Sequence, residues 1–388
     1  MNLKAYTPAR ILGALRRRGS AYLKKVQYRP GDLAIKSGTV LFDTFNGKAI
    51  GDSPLDIFLQ LQKERPDLKF LWTVNENSKA PAGSVGLKFE SKAWFEALAT
   101  SEYLVANSAL PWYFKKVEGQ TYLQTWHGTP LKRLVRDLPE GELTKSYLDL
   151  MNRESKAWDY LVSPNSYCSD IFPKAFGYSG ALLETGYPRN DRLITHTAED
   201  RLAIRTRLGV TDSKTVLALY APTWRDYQRT LTGSWESVSY LDPEMVYPEG
   251  VQVMFRGHTN TNRSKNTGSA IDVTSYPDIT ELFIAADVLI TDYSSVMFDF
   301  SVTGKPILFL APDIERYRAQ RGFYFDFEVE APGPILRTAG EVLETLGKLP
   351  EIAKSFQSAY KHWQKKFNSL EDGRAAKRVT SAVWSLSE

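Results

Sequence analysis

The sequence predicts an α/β protein with two doubly wound lobes and a cleft between them. Short β-rich runs alternate with helical stretches along the whole chain, which is the pattern of α/β domains. Many of these runs are continuously apolar, as expected for parallel strands that are buried on both faces. The length of 388 residues is enough for two such cores.

The predicted strands form two series. They lie near residues 39–45, 69–74, 103–107, 121–125, 159–163 and 181–185, and then near 215–221, 251–255, 270–274, 287–291 and 306–310. The polar stretch 189–214 predicts a helix and a linker, so we expect an N-terminal lobe at 32–200 and a C-terminal lobe at 201–388. From about residue 340 the pattern is helical. Two Rossmann-like lobes with a C-terminal helical closure are the GT-B-like arrangement.

The composition excludes several classes of site. Cys168 is the single cysteine, so the chain can form neither an intrachain disulfide nor a cysteine-based zinc site, and a reducing compartment fits. No apolar run approaches the ~20 residues needed to span a bilayer. The N-terminus also lacks the apolar core of a signal peptide. We therefore expect the protein to stay in the cytoplasm.

The net charge is only +4, but residues 1–31 contain no acid at all. The cations of this segment are Lys4, Arg10, Arg16, Arg17, Arg18, Lys24, Lys25 and Arg29. Apolar residues are threaded among them, as in basic amphipathic segments that lie on an anionic membrane surface. A solvated, partly helical arm is the alternative. Nucleic acid is not expected as a partner, because the rest of the chain has no zinc finger, ribonucleoprotein motif or extended basic stripe.

The loops after the strands are the candidate site, because ligands of open α/β sheets gather at the carboxyl ends of strands. Asp292 and the pair Ser294 and Ser295 follow one strand, at the start of a helical pattern. One serine is expected to cap that helix, and the same helix start could hold a phosphate. Glu281 begins another predicted helix, where it either complements the helix dipole or binds ribose hydroxyls.

Two further strand ends of the second half carry similar groups. Arg256 and His258 follow one strand and offer a planar cation and a titratable ring. Thr223 and Arg225 follow the preceding strand. A polar surface turn explains any one of these loops, but their recurrence favours a phosphate-rich ligand.

One of the chain's four histidines, His127, lies in the first half directly after a predicted strand and before Gly128 and Thr129. No Ser-His-Asp spacing or matched cysteine favours a covalent nucleophile. A general base acting on a hydroxyl is therefore the predicted role of His127. Asp43 and Asn46 end another strand of this half.

Seven motifs occur in order between about residue 39 and the C-terminus. They are TYLQTWHGTPLK, WDYLVSPN, ETGYPRND, YAPTWRD, DVLITDYSSVMFDF, RGFYFDF and NSLEDGRAAKRV. Together they resemble the CDP-glycerol glycerophosphotransferase family of teichoic-acid biosynthesis. The length resembles that of the short family members, so we expect a catalytic unit without the added N-terminal region of the long polymerases.

The resemblance implies a GT-B-like enzyme attached peripherally to the cytoplasmic face of the cell membrane. Such an enzyme moves glycerol phosphate, or ribitol phosphate in relatives, from a CDP-alditol to a hydroxyl of a polyprenyl-diphosphate-linked acceptor, and CMP leaves. No tightly bound cofactor and no metal ligands are expected, although a divalent ion can accompany such a donor.

The resemblance also assigns roles to residues. The two family histidines match His127 and His258 as catalytic residues. The implied donor-binding residues are Arg256, Ser294, Ser295, Asp292, Glu281, Thr223, Arg225, Arg321 and Asp326, and the implied acceptor-side residues are Asp43, Asn46, Gly128 and Thr129. His127 would take the proton of the acceptor hydroxyl, and His258 with Arg256 would neutralise charge as CMP leaves, but the roles of the two histidines could be exchanged.

Several alternatives stay open at this point. The donor can be CDP-glycerol or CDP-ribitol, and the enzyme a primase, a teichoic-acid polymerase or a capsule polymerase. A nucleotide-sugar glycosyltransferase on the same two-lobed frame is a second hypothesis. A non-enzymatic membrane-surface protein held by residues 1–31 is a third.

Overall fold

The computed structural model describes residues 24, 26–76, 78–139, 141–223, 240–242, 245–257 and 270–385. Most of the basic segment 1–31 therefore lies outside the described residues, and its predicted membrane contact stays a prediction. No helix among the described residues is long and apolar enough to cross a bilayer.

The first lobe is built on a parallel sheet with strand order β3-β2-β1-β4-β5-β6-β7. Its strands are β1 (Lys36–Asp43), β2 (Lys69–Val74), β3 (Val85–Lys88), β4 (Ser101–Ala106), β5 (Thr121–Gln124), β6 (Tyr160–Ser163) and β7 (Ala181–Glu184). Its helices are α1 (Asp52–Glu64), α2 (Lys92–Thr100), α3 (Lys145–Ala157) and α4 (Ser166–Phe176). Val40 and Phe42 of β1 enter one apolar core and Leu41 enters the other, so both faces of the sheet are covered.

A short connection leads to the second lobe. It consists of a 3₁₀ turn at Pro188–Asn190, α5 (Asp191–Thr195) and α6 (Ala198–Arg207). Helix α6 begins with a capping box, in which Thr197 and Asp200 bond each other's backbone N–H groups. The predicted helix and linker at 189–214 therefore correspond to this connection.

The second lobe repeats the design, with a parallel sheet of order β10-β9-β8-β11-β12-β13. Its strands are β8 (Val216–Tyr220), β9 (Val251–Phe255), β10 (Ile271–Asp272), β11 (Val288–Thr291), β12 (Ile307–Leu310) and β13 (Ile335–Leu336). The helices that follow are α7 (Ile279–Ala285), α8 (Val296–Phe300), α9 (Ile314–Arg321), α10 (Phe327–Glu330), α11 (Ala339–Leu346), α12 (Leu349–Ser355), α13 (Gln357–Phe367) and α14 (Ala375–Trp384).

The last helix returns to the first lobe. Val379, Val383 and Trp384 of α14 belong to the same apolar core as the first sheet. The carboxylate of Asp191 accepts the backbone N–H groups of Ala375 and Ala376 at 2.8 Å each and so fixes the start of this helix. The chain thus closes across both lobes, as the sequence predicts, while the lobe boundaries at 32–200 and 201–388 stay predictions.

The predicted α/β, GT-B-like fold is confirmed, and each of the eleven predicted strands has a counterpart. The sequence analysis missed β3 and β13, because both are short edge strands without a continuous apolar run. The predicted strand at 39–45 ends early, at Asp43, because Phe45 and Asn46 adopt positive φ angles of 51° and 56°.

Candidate active site

Both sheets reverse their strand order at the centre, between β1 and β4 and between β8 and β11. Loops that leave neighbouring strands in opposite directions open a crevice at such a point, and ligands of α/β proteins bind there. In the first lobe the crevice is formed by the loops after Asp43 and Ala106, and in the second by the loops after Tyr220 and Thr291. Among the residues singled out from the sequence, these loops carry Asp43, Asn46, Thr223, Asp292, Ser294 and Ser295.

His127 lies beside the first crevice, three residues after Gln124, the last residue of β5. Its Nδ1 is 2.7 Å from the backbone oxygen of Asn107, which follows β4. The imidazole stacks on Trp126 with ring centroids 4.2 Å apart and meets the edge of Phe45 at 5.6 Å. A carbonyl oxygen only accepts hydrogen bonds, so Nδ1 carries the proton and Nε2 of the neutral ring keeps its lone pair.

Burial lowers the pKa of His127, although the hydrogen bond to Asn107 and the charge of Asp52 oppose this effect. The ring is therefore neutral at pH 7, with an unprotonated nitrogen held in one orientation. That is the state required of a general base.

Strained backbone surrounds His127. Trp126, Phe45, Asn46 and Asp52 have φ angles between 51° and 58°, a region that residues other than glycine rarely adopt. Such conformations cost about 1–3 kcal/mol each and collect at functional sites. They lie in two connections of the first lobe, the one from β1 to α1 and the one after β5, which meet at the imidazole.

Two side chains hold this strained turn in place. Asp43 accepts the backbone N–H of Asn46 at 2.8 Å, and burial raises the pKa of Asp43 to about 6. The side-chain oxygen of Asn107 accepts the N–H of Phe45 at 2.9 Å. Asp43 thus shapes the loop after β1, whereas its predicted contact with the acceptor stays a prediction.

The second crevice is tied together in a similar way. The buried carboxylate of Asp292 accepts the backbone N–H of Thr223 at 2.8 Å and that of Tyr293 at 2.6 Å. Ser295 is the N-cap residue of α8, as expected, but its hydroxyl makes no capping bond. The capping prediction was wrong, because Ser295 has helical φ and ψ angles of −62° and −13° instead of the extended angles that aim a cap side chain.

The two crevices face each other at Gly128 and Ser295. A Cβ atom added to Gly128 would lie 2.8 Å from Oγ and 3.0 Å from Cβ of Ser295. We name residues 125–130, which follow β5, the His127 loop. Only a residue without a side chain fits between this loop and the start of α8. This contact places the predicted base beside the predicted phosphate-binding serines.

A second inter-lobe contact lies just beyond this loop. Lys132 and Phe323 form an antiparallel bridge, and the N–H of Tyr324 donates to the oxygen of Leu131 at 2.9 Å. The RGFYFDF motif, which begins at Arg321, is thereby attached to the segment that follows His127. Arg321 itself is the last residue of α9.

Other predicted donor residues have partners within the protein. Arg256 donates from Nη1 to the backbone oxygens of Val273 at 3.3 Å and Tyr276 at 3.0 Å, and burial lowers its pKa. Glu281 accepts from Arg207 at 2.8 Å and from the Tyr276 hydroxyl. These bonds fix the loop after β10 beside the second crevice.

Two more of the predicted site residues make contacts within the protein. Asp326 caps α10 by accepting the N–H groups of Glu328 and Val329 at 3.2 and 3.4 Å. Thr129 is almost fully buried and lies near the thiol of Cys168, whose pKa it lowers against the effect of burial. Their proposed roles toward substrate stay predictions.

His258 and Arg225 lie outside the described residues, and their predicted roles stay predictions. Among the residues that the structure does describe, no group of three His, Cys, Asp or Glu side chains is arranged to hold a metal ion.

The sequence analysis missed a buried ionic network beside His127. Arg189 of the 3₁₀ turn bonds Asp52 at the start of α1 and Asp299 in α8. Asp52 also accepts a bond of 2.8 Å from the side-chain amide of Asn107. Arg189 and Asp299 lie inside two of the quoted motifs, which was the available signal, but their pairing depends on the way the two lobes meet.

Comparison with known proteins identifies the family. The family model described as CDP-Glycerol:Poly(glycerophosphate) glycerophosphotransferase matches residues 25–385. A teichoic acid poly(glycerol phosphate) polymerase of Bacillus subtilis (strain 168) is 40% identical over 368 residues, which are 91% of this chain and 49% of that protein. The chain spans about half the length of this relative and of a Staphylococcus epidermidis polymerase that is 35% identical.

Other relatives match over nearly their full length. A teichoic acid glycerol-phosphate transferase of Staphylococcus aureus (strain NCTC 8325) is 36% identical, with 89% of this chain and 92% of that protein covered. A solved structure of the wall teichoic acid polymerase TagF superposes with a TM-score of 0.85 at 33% identity, covering 98% of both chains. A Listeria monocytogenes protein assigned as a UDP-N-acetylglucosamine 2-epimerase has a TM-score of 0.51 at 14% identity, which reflects the fold alone. The chain therefore belongs to the CDP-glycerol:poly(glycerophosphate) glycerophosphotransferase family.

Proposed function

We propose that the protein transfers glycerol phosphate from CDP-glycerol to a hydroxyl of a membrane lipid-linked acceptor in teichoic-acid biosynthesis. The main support is the state and position of His127. Its imidazole is neutral, with Nδ1 bonded to Asn107 and Nε2 left to act as base. The next residue, Gly128, lies against Ser295 of the opposite lobe. The first lobe would bind the acceptor and the second lobe the donor.

The reaction is a phosphoryl-group transfer in which His127 acts as base. The acceptor hydroxyl attacks the β-phosphorus of CDP-glycerol and its proton passes to Nε2 of His127. The new P–O bond forms as the bond to the α-phosphate oxygen breaks, and CMP leaves with the electron pair. Such reactions depend mainly on positioning and on stabilisation of charge.

The donor phosphates would lie at the second crevice. The hydroxyls of Ser294 and Ser295 are suitable hydrogen-bond donors there, and Ser295 uses none of its capacity for capping α8. We expect Arg256 and His258 to offset the charge of the departing CMP, and Thr223, Arg225, Glu281, Arg321 and Asp326 to complete the donor side. The acceptor side would include Asp43 and Asn46.

The comparisons favour glycerol over ribitol. Relatives named as poly(glycerol phosphate) polymerases are 35–40% identical to this chain, whereas those named as ribitol-phosphate polymerases are 24–26% identical. A glycerol-phosphate primase of Bacillus subtilis is 27% identical, which favours chain extension over the first addition. A solved structure of a TagF variant was obtained after a soak with CDPG, which supports a CDP-linked donor.

The decisive assay measures CMP release from CDP-glycerol and from CDP-ribitol, with a lipid-linked disaccharide acceptor that does or does not carry one glycerol phosphate. We expect acceptor-dependent CMP release from CDP-glycerol and products lengthened by glycerol phosphate, read by mass. Release of a nucleoside diphosphate from a nucleotide sugar, without a new phosphodiester, would instead support a glycosyltransferase.

Membrane attachment is a separate part of the proposal. Residues 1–31 combine cations with apolar side chains, so they would lie on the anionic cytoplasmic face of the membrane. Charge reversal at Arg16, Arg17 and Arg18 should weaken sedimentation with anionic liposomes, and salt should do the same. Sedimentation that is unaffected by either change would place membrane contact elsewhere.

A further inference from the structure

Two arginines of the connection join the lobes through buried carboxylates. Arg189 donates from Nη1 to Asp52 at 2.9 Å and from Nη2 to both oxygens of Asp299 at 3.0 and 2.9 Å. We name this set the Arg189 bridge. Asp52 begins α1 of the first lobe, whereas Asp299 lies in α8 of the second, so the guanidinium spans both lobes.

The second arginine forms a bridge of the same type. Arg192 donates to both oxygens of Asp56 at 2.7 and 3.2 Å and to Asp278 at 2.6 Å. We name this set the Arg192 bridge. Asp56 lies one helical turn after Asp52 on α1, and Asp278 is the N-cap of α7. Both bridges therefore hold the same helix of the first lobe to the second lobe.

The two bridges differ in what lies at their ends. Asp52 accepts from the side chain of Asn107 at 2.8 Å, and the backbone oxygen of Asn107 holds Nδ1 of His127 at 2.7 Å. At the other end, Asp299 lies four residues after Ser295, in the same short helix. Only the Arg189 bridge thus runs from the predicted base to the helix that begins at the predicted phosphate-binding serines.

We propose that Arg189 is a positioning residue, which sets the distance and orientation of His127 relative to the donor-binding serines by gripping Asp52 and Asp299 at once. Its planar fork suits this task, because it can bind two carboxylates in fixed directions, which a lysine cannot. The bridge is nearly closed to water, with 7% of the Arg189 side chain, 10% of Asp52 and 9% of Asp299 exposed. This inference rests on the proposed role of His127.

The Arg189 bridge also acts on the protonation of His127. In the described part of the chain, Asp52 and Arg189 are the charged groups whose fields reach this imidazole, with opposite effects on its pKa. The other groups against the ring, Phe45, Trp126 and the Asn107 carbonyl, do not titrate. Loss of the Arg189 charge should raise the pKa of His127 as long as Asp52 is ionised. Bonds from Ser53 and Asn107 favour the ionised form of Asp52, whereas its burial opposes it.

The test compares Arg189→Met with Arg192→Met, which removes the matched bridge. The full-length protein is labelled with ¹⁵N-histidine, and the pKa of His127 is read by NMR, its signals assigned by their loss in His127→Gln. For Arg189→Met we expect kcat to fall ~10-fold or more, an affinity for CDP-glycerol within about twofold of wild type, and a raised His127 pKa. For Arg192→Met we expect an unchanged His127 pKa and kcat within about threefold.

Two further variants separate charge from geometry. Arg189→Lys keeps the charge, so it should keep the His127 pKa but restore kcat only in part. Asp299→Asn leaves the Asp52–Arg189 pair intact, so kcat should fall while the pKa stays. If Arg189→Met fails to fold, Asp299→Asn decides the question.

The inference is overturned if Arg189→Met and Arg192→Met give the same kcat and the same His127 pKa, or if Asp299→Asn retains full kcat. Full activity of His127→Gln would instead overturn the proposed role of His127 as base. The pKa of His127 in the arginine variants, read by NMR, would still show whether the Arg189 bridge acts on this ring.

Discussion

The two crevices are built on one plan but differ in what they hold rigid. In the first lobe, Asn107 after β4 accepts the N–H of Phe45 after β1. In the second lobe, Asp292 after β11 accepts the N–H of Thr223 after β8. In each lobe, a side chain that follows one central strand accepts a backbone N–H from the loop that follows the other central strand. Both bonds lie where the strand order reverses.

The difference lies in the groups placed around that closure. The first crevice has four non-glycine residues with left-handed backbone and one oriented imidazole. Among the described residues of the second crevice, from Tyr220 to Thr223 and from Thr291 to Ser295, no residue has a positive φ. The first crevice therefore holds one ring in a fixed orientation. The second crevice presents hydroxyls and backbone groups, which we propose bind the donor phosphates.

Removing the aimed ring should have the largest effect. His127→Gln keeps a side chain of similar size without a titratable nitrogen, and we expect kcat to fall ~10²-fold or more. The control is His196→Gln, since His196 follows the end of α5 and its Nδ1 contacts the backbone oxygen of Arg192, away from the crevice. Steady-state CMP release measures both, and near-wild-type turnover of folded His127→Gln protein would remove the base from the proposal.

Changing the closing side chain should have the next largest effect. Asn107→Asp replaces an amide that donates to Asp52 at 2.8 Å with a second carboxylate. Repulsion should disturb the loop, and the added charge should raise the pKa of His127, so we expect roughly a 30-fold loss of kcat/KM at pH 7.

Asn165→Asp is the matched control for this change. Asn165 is also buried and also uses both ends of its amide, with bonds to Cys168 and Phe367. It lies at the start of α4 and not beside His127. An equal loss in both variants, with equal thermal unfolding shifts, would mean that Asn107 acts only through stability.

The contact between the crevices can be tested at Gly128. The Gly128→Ala methyl group would meet Oγ of Ser295 at 2.8 Å, so the His127 loop and α8 must separate. A small displacement of this kind costs catalysis more than stability, and we expect roughly a tenfold loss of kcat. Gly340→Ala in α11 is the control, because its nearest neighbour lies at 3.9 Å. Wild-type kcat in Gly128→Ala would show that this approach is not needed for turnover.

These sites show how far sequence reasoning reaches. Continuous apolar runs predicted the buried strands, and the loops after them gave His127, Ser294 and Ser295, because ligands of parallel sheets bind at strand ends. The edge strands β3 and β13 were not predicted, because β3 is mostly exposed and mixes apolar with polar residues and β13 is only two residues long.

The Arg189 and Arg192 bridges were not predicted from the sequence, for a different reason. Asp52 and Arg189 are 137 positions apart in the chain, and Arg189 and Asp299 are 110 apart. No periodicity links such residues, because only the docking of two lobes brings them together. Asp292 and Asp326 show another limit: their carboxylates bond backbone N–H groups, a role that the sequence did not indicate. Their predicted contact with the donor stays a prediction.

The smallest expected effect is the pH dependence of the wild-type enzyme. A base must be unprotonated, and burial lowers the pKa of His127 below its usual value of 6.5. The neutral fraction is therefore close to full at pH 7, so kcat/KM should change less than ~2-fold between pH 8 and pH 7. It should fall only below the lowered pKa, as the ring gains a proton.

The direction in which kcat/KM changes at acid pH distinguishes the two possible roles of His127. If this histidine were the acid of the reaction, its protonated form would be required, and kcat/KM would rise as the pH falls from 8 toward 6. The same proton uptake also affects folding, because an imidazole with a lowered pKa binds fewer protons in the folded than in the unfolded state. Stability should therefore decrease as the pH falls below about 6.5. His127→Gln should remove both this decrease in stability and the fall of kcat/KM at acid pH. If the residual activity of the variant still falls at acid pH, another group causes that fall.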